Sequence, residues 1–205
     1  MKIVQLGANR GSDSLFRYLE QHKDEVELLV LVEPFQLHLD ILEACYKDYD
    51  SAIIENVAVR PTFIKKEELT IFYYKEDGPA YHVASINPSH IYKHYGNVQL
   101  DSFTIPSLTI GQILDKHGLK ELDWLLVDVE GLDAELILDF DWNSYRIKRV
   151  DVEHLHLGND SWKVMELFES LGYTKIESTN TFDWAFELPG NTIKTTEEDG
   201  HTAQR

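Results

Sequence analysis

The sequence predicts an α/β fold: a doubly wound, mostly parallel sheet with helices on both faces. Three observations predict it. Short apolar runs alternate with segments of helical periodicity along most of the chain. The runs are apolar at nearly every position, as strands covered on both faces require. A glycine turn, Gly7 to Gly11, joins the first run to the first helical segment, and in open α/β sheets ligands lie beyond the carboxyl ends of the strands.

Taken in order, residues 2–6 are the first strand and residues 12–22 the first helix, with Ser12 as its N-cap. Residues 26–32 (V-E-L-L-V-L-V) are a second strand. Residues 35–46 have helical spacing, with Leu37, Ile41, Leu42 and Cys45 on one face, and residues 51–59 are a third strand. The second half repeats the alternation: helix 110–117, strand 124–129, helix 132–138, strand 147–153 and helix 161–171. Gly172 stops that helix, and residues 173–176 and 184–188 close the pattern as two strands. Between the halves, residues 60–108 are rich in Tyr, His, Ser, Pro and Thr, with one strand-like run at 69–74. A loop region of that length is expected to serve function, here as a cover or substrate-binding insertion. Residues 191–205 are polar and aperiodic, as a disordered tail would be. With no internal repeat or linker, residues 1–190 are expected to form one domain.

The length of 205 residues allows such a domain a sizeable core. The chain carries 36 acidic and 19 basic residues, a formal net charge of −17. That balance disfavours nucleic acid and anionic membrane surfaces as partners. No apolar run approaches the roughly 18 residues of a membrane span. The single cysteine, Cys45, excludes an intramolecular disulfide and points to a reducing cytoplasm.

The glycine turn is neither G-x-G-x-x-G nor a P-loop. Gly7 and Gly11 allow close approach of a ligand, Asn9 tolerates left-handed backbone, and Ser12 stands before a helix whose free N–H groups suit a carboxylate. Glu33 ends the second strand about 20 residues later, where an acidic side chain accepts ribose hydroxyls. Together they point to an adenosine-containing ligand, either a nicotinamide cofactor or S-adenosylmethionine. In L-V-D-V-E-G, Asp128 and Glu130 stand two apart at the end of an apolar strand, hence on one face and toward that ligand. V-D-V-E-H-L-H ends the next strand with Glu153, His154 and His156; a histidine there is a candidate general base or metal ligand, while Asp151 reads as a structural partner.

These segments, in this order and spacing over residues 2–188, resemble the FkbM family of S-adenosylmethionine-dependent methyltransferases. The likeness is carried by G-A-N-R-G at 7–11, V-E-P at 32–34, E-N-V-A-V at 55–59, S-L-T-I-G-Q-I-L at 107–114, L-D-W-L-L-V-D-V-E-G at 122–131 and V-D-V-E-H at 150–154. The resemblance implies a Rossmann-like class I methyltransferase fold, a three-layer α/β/α arrangement whose seven-stranded, mostly parallel sheet has an antiparallel last strand. It implies that Gly7, Asn9 and Gly11 hold the methionine part of the cofactor and Glu33 the ribose. Asn56 or Val57 would lie near the adenine, and Asp128 would approach the reacting centre. It also implies O-methylation of a hydroxyl on a sugar, glycan or small natural product. Gln5 stands where such enzymes commonly carry an acidic residue; its amide can still hydrogen-bond the cofactor's ammonium. Many relatives carry N-terminal elements over the site, so cover is expected from residues 60–108 or from a second subunit in a homo-oligomer.

Methyl transfer to a hydroxyl needs alignment and a base or a metal ion. Asp128, with Glu130 or His154, is the expected catalytic group. Asp128, Glu130, Glu153 and His154 also compose an oxygen-rich set suited to Mg²⁺ or Mn²⁺, although carboxylates can position substrate without an ion. In A-S-I-N-P-S-H-I-Y-K-H-Y, residues 84–95, aromatic rings alternate with polar groups, and His90, Lys93 and His94 are the candidate acceptor-binding residues. The competing readings are an NAD(P)-dependent oxidoreductase and a cofactor-binding protein without catalysis. Against the first stand the glycine spacing and the lack of a Tyr-x-x-x-Lys pair.

Overall fold

A computed structural model describes residues 1–78, 81, 83–178 and 180–190. The tail expected at 191–205 lies outside the described residues. Strands β1 (Lys2–Leu6), β2 (Leu28–Val32) and β3 (Ala52–Glu55) alternate with helices α1 (Ser14–His22) and α2 (Gln36–Tyr46). A short strand β4 (Ala58–Val59) follows, then β5 (Glu68–Tyr73), α3 (Pro88–Tyr95) and β6 (Asp101–Leu108). Helix α4 (Ile110–Lys116), β7 (Glu121–Val127), α5 (Asp133–Asp139), β8 (Arg146–Glu153), α6 (Ser161–Ser170), β9 (Thr174–Ile176) and β10 (Asp183–Glu187) complete the order.

The main sheet has seven strands in the order β3-β2-β1-β7-β8-β10-β9. All neighbours are parallel except β10, which runs antiparallel to both β8 and β9. Strand alternation divides the apolar side chains between two layers. Val4, Leu6, Val30, Val32, Leu125 and Val127 face one core; Ile3, Leu29, Leu31, Trp124 and Leu126 face the other. Strands this deeply covered have no polar face, which is why their sequences read as continuous apolar runs. Chain order reverses between β1 and β7, so the sheet opens a crevice there, beyond the carboxyl ends of its central strands.

Three local expectations are corrected. The strand expected over 51–59 is two: β3 ends at Glu55, and β4 leaves the main sheet to pair in parallel with β6. Residues 60–108 are not one long loop, because β5 and β6 pair antiparallel and, with β4, form a three-stranded sheet around Leu69, Ile71 and Ile105. The N-cap of α1 is Asp13 rather than Ser12: its Oδ1 accepts from the Phe16 N–H at 2.9 Å.

No helix among the described residues is long and apolar enough to cross a membrane.

Candidate active site

The crevice holds a cavity of about 480 Å³, within the range of small-ligand sites. The glycine turn, Glu33 at the end of β2 and Asp128 at the end of β7 form its floor. Ile71, Tyr81, Ser85 and Ile86 of the insertion form the opposite wall. Gly7, Asn9 and Gly11 all have positive φ, at 83°, 48° and 78°. At Gly7 the close approach is to the protein itself, since a Cβ there would stand 1.7 Å from the carbonyl oxygen of Asp128. The turn's amides are largely spent internally. Gly7 and Ala8 N–H donate to the Val32 carbonyl, Gly11 N–H to the Ala8 carbonyl, and Asn9 N–H to Glu33 Oε2 at 2.7 Å. The turn therefore offers the ligand a shape and a rim of side chains rather than a nest of free N–H groups.

Glu33 is buried and ties the floor together. Besides Asn9, it accepts from the Phe35 N–H at 2.8 Å and faces His38 Nδ1 at 3.1 Å. Ionised carboxylates have about four acceptor sites, so capacity remains for a ligand hydroxyl. Three cavity-lining side chains carry a buried polar atom without a partner: Gln5 Oε1, Arg10 Nε and His38 Nε2. Buried polar atoms are normally satisfied, so three such atoms around one cavity are donor and acceptor positions open to a ligand. Gln5 is fixed by its own Nε2, which donates to Asp13 Oδ2 at 2.6 Å. Arg10 and His38 were not singled out from the sequence, although Arg10 lies inside the quoted glycine turn.

The model of the methyltransferase FkbM domain matches residues 5–175. The chain belongs to the FkbM methyltransferase family. This sets aside the nicotinamide-dependent reading. An FkbM methyltransferase from Methylobacillus flagellatus KT is similar in fold, with 16% identity and a TM-score of 0.55 over 91% of this chain. The matched part is 43% of that protein's length, so this chain spans less than half of it. Fibrillarin of Aeropyrum pernix, solved with natively bound S-adenosyl-L-methionine, matches at 8% identity and a TM-score of 0.43, covering 90% of this chain and 64% of that one. The N-terminal domain of human METTL16 with SAH matches at 11% identity and a TM-score of 0.43, covering 90% and 59%. Among curated protein sequences there is no significant match.

In this member of the FkbM methyltransferase family, β7 ends at Val127, earlier than expected, so Asp128 and Glu130 do not alternate along a strand. The chain turns instead, with Glu130 at φ 56° and Gly131 at φ 96°. Asp133 holds the turn, accepting from the N–H groups of Val129 at 2.9 Å and Gly131 at 3.2 Å. Asp128 thereby faces the cavity, while Glu130 reaches from the cavity wall to His90 Nε2 at 3.2 Å.

Acids crowd around Asp128. Asp128 is open to the cavity but hemmed in by protein. That desolvation, and then the charges of Glu153, Asp133, Glu130 and Asp183, raise its carboxyl well above the usual range. Burial likewise raises Asp133 to about 7 and Asp183 to about 7. Beside the acids stand three imidazoles. His156 Nδ1 lies 2.5 Å from Glu153 Oε2 and 3.6 Å from Glu130 Oε2; the Glu153 hydrogen bond raises its pKa. Desolvation, then the neighbouring His90 and His156, lower that of His94.

Several expected site residues lie elsewhere. Asn56 and Val57 do not line the cavity. Asn56 Nδ2 is spent on the carbonyls of Glu33 at 2.9 Å and Pro34 at 3.1 Å, and Ala58 and Val59 line the wall in their place. Ser12 lines the cavity although it is not the cap. His154 turns to the sheet edge, where its Nε2 lies 3.2 Å from the Thr181 carbonyl and its ring lies against Trp184. The set Asp128, Glu130, Glu153 and His154 is therefore not assembled; His156, two residues onward, stands beside Glu130 and Glu153 in its place. His90 and His94 do not line the cavity but stand behind Glu130, and Lys93 is exposed on the same helix. Asp151 is the structural partner expected. It receives Arg149 Nε at 2.7 Å and Nη2 at 2.8 Å, and Trp124 Nε1 at 2.9 Å.

Proposed function

We propose that this methyltransferase uses S-adenosylmethionine to methylate a hydroxyl of a sugar, glycan or small natural product. The observation that carries the cofactor reading is the set of orphaned polar atoms around the cavity, one acceptor on Gln5, one cationic donor on Arg10 and one ring nitrogen on His38. An amino-acid group carries both an ammonium and a carboxylate, which Gln5 and Arg10 match in chemistry. Glu33 would accept the ribose hydroxyls with its remaining acceptor capacity, and His38 would bond the same end of the ligand. The cofactor, when bound, supplies an electrophilic methyl group on a cationic sulfonium.

Asp128 would accept the proton of the acceptor hydroxyl. Desolvation and the neighbouring acids raise its carboxyl well above the usual range, which makes its ionised form a stronger base than an ordinary carboxylate. Its place between the glycine turn and the acids of the β8 end supports alignment of that hydroxyl with the cofactor. The insertion's wall would exclude water from the cavity.

Incubation with methyl-labelled S-adenosylmethionine and a panel of monosaccharides, oligosaccharides and small polyols tests this reading. Label is expected in an oxygen-linked methyl group. Asp128→Asn is expected to lower the rate about 100-fold or more while S-adenosylhomocysteine still binds. Unchanged transfer in that variant would remove Asp128 from the mechanism.

A further inference from the structure

We infer that His90, His94 and His156, closed by the carboxylate of Glu130, form a site for a first-row transition-metal dication beside the cavity. His90 and His94 are four residues apart on α3, which places both imidazoles on one helical face. His156 reaches them from the loop after β8. The ring centroids stand 4.4 Å (His90 to His156), 5.0 Å (His90 to His94) and 5.5 Å (His94 to His156) apart. One nitrogen from each of the three lies within 4.8 Å of the others, and Glu130, Glu153 and His156 meet the same measure with their own ligand atoms. Tetrahedral ligands at a zinc–nitrogen distance of about 2.0 Å stand roughly 3.3 Å apart; Glu130 Oε2 already lies 3.2 Å from His90 Nε2 and 3.6 Å from His156 Nδ1, and the imidazoles would draw together around an ion.

Hydrogen bonding between imidazole and carboxylate accounts for His90 with Glu130 and for His156 with Glu153. It does not account for His94, which packs its ring against those of His90, His156 and Tyr95. Three imidazoles converging beside two carboxylates form a donor set that a dication satisfies as a whole. The fold also fixes His90. Its ring lies against Gly131, where a Cβ would stand 2.8 Å from Nδ1, so the turn after β7 and helix α3 meet at this histidine. Nitrogen-rich ligation selects Zn²⁺, Co²⁺ or Ni²⁺ over Mg²⁺, which prefers oxygen. Glu130 links the ion to the cavity wall, but neither the groups proposed to hold the cofactor nor Asp128, the proposed base, is used. The inference therefore stands apart from the methyl-transfer reading.

The full chain, stripped with a chelator, would be titrated with zinc chloride by calorimetry and with cobalt chloride by visible absorption. One equivalent is expected to bind, with cobalt bands of a nitrogen-ligated site and no displacement by a 100-fold excess of magnesium chloride. His94→Ala, at an exposed position, is expected to fold and to weaken binding about tenfold or more, as is His156→Ala; His154→Ala is expected to leave it unchanged. Absence of stoichiometric binding, displacement by magnesium, or full affinity in His94→Ala would overturn the assignment. Titrating the same stripped protein with S-adenosylhomocysteine reads the cofactor proposal separately.

Discussion

Substituting Gly7 by alanine tests whether the cavity floor depends on the contact between the first glycine and the end of β7. The residue has φ 83°, and the added Cβ would stand 1.7 Å from the Asp128 carbonyl oxygen. Left-handed backbone alone costs a side-chain-bearing residue about 1–2 kcal/mol. The clash adds to this, because β1 and β7 are paired neighbours and the Asp128 N–H donates to the Leu6 carbonyl at 3.0 Å. Parting them forfeits at least that bond and the packing beside it, about 1–3 kcal/mol more. The sum, about 2–5 kcal/mol, is a large share of a typical domain's stability. Gly172→Ala is the matched control: φ is 84°, and nothing lies within 4 Å of its Cβ position. It is expected to cost only the backbone strain, about 1–2 kcal/mol. Equilibrium denaturation in urea compares the two variants, and equal losses would refute the argument from close approach.

Three further outcomes follow from the same geometry. Asp151→Ala leaves Arg149, wholly buried against the Trp124 ring, without its carboxylate, and is expected to destabilise by about 3–5 kcal/mol in the same assay. Asp133 and Asp183 are both raised to about 7 in the folded protein, against about 4 when unfolded; the folded state then binds more protons between these values, so their contribution to stability falls as pH rises through that window. Thermal unfolding from pH 5 to 8 should show that fall, with a shallower slope in Asp183→Asn; an unchanged slope in the variant would contradict the assignment. Glu33→Gln sets an amide NH₂ against one of the N–H donors that Glu33 now satisfies, and is expected to destabilise by about 1–3 kcal/mol and to weaken S-adenosylhomocysteine binding, read by denaturation and calorimetry.

The central sheet was legible because β1, β2, β7 and β8 are covered on both faces, which leaves continuous apolar runs in the sequence. The insertion was not. In β6 the inward positions Phe103, Ile105 and Ser107 do alternate, but Ser107 is polar and Pro106 interrupts the run, so the period of two was hidden. Helix α3 is eight residues long, too short for a persuasive period, although Asn87 before Pro88 was a readable start signal. The glycine turn and Glu33 stood where the sequence placed them, since strand ends and turns have strong local signatures. The apolar run gives no mark of its own end, so in the sequence Asp128 and Glu130 fall on one strand face; the later Gly131 is the sign that the chain turns. The choice between His154 and His156 rests on the path of the chain after β8, which no local pattern encodes. Nor does local pattern bring His90 and His94 to the β7 turn, an encounter made only by tertiary packing.

Calorimetric titration of the full chain with S-adenosylhomocysteine, beside NAD, tests the central claim most directly. The account predicts saturable one-site binding of the former and none of the latter, with the S-adenosylhomocysteine affinity reduced in Gln5→Ala and Arg10→Ala. Binding of NAD, or S-adenosylhomocysteine binding indifferent to both substitutions, would contradict it.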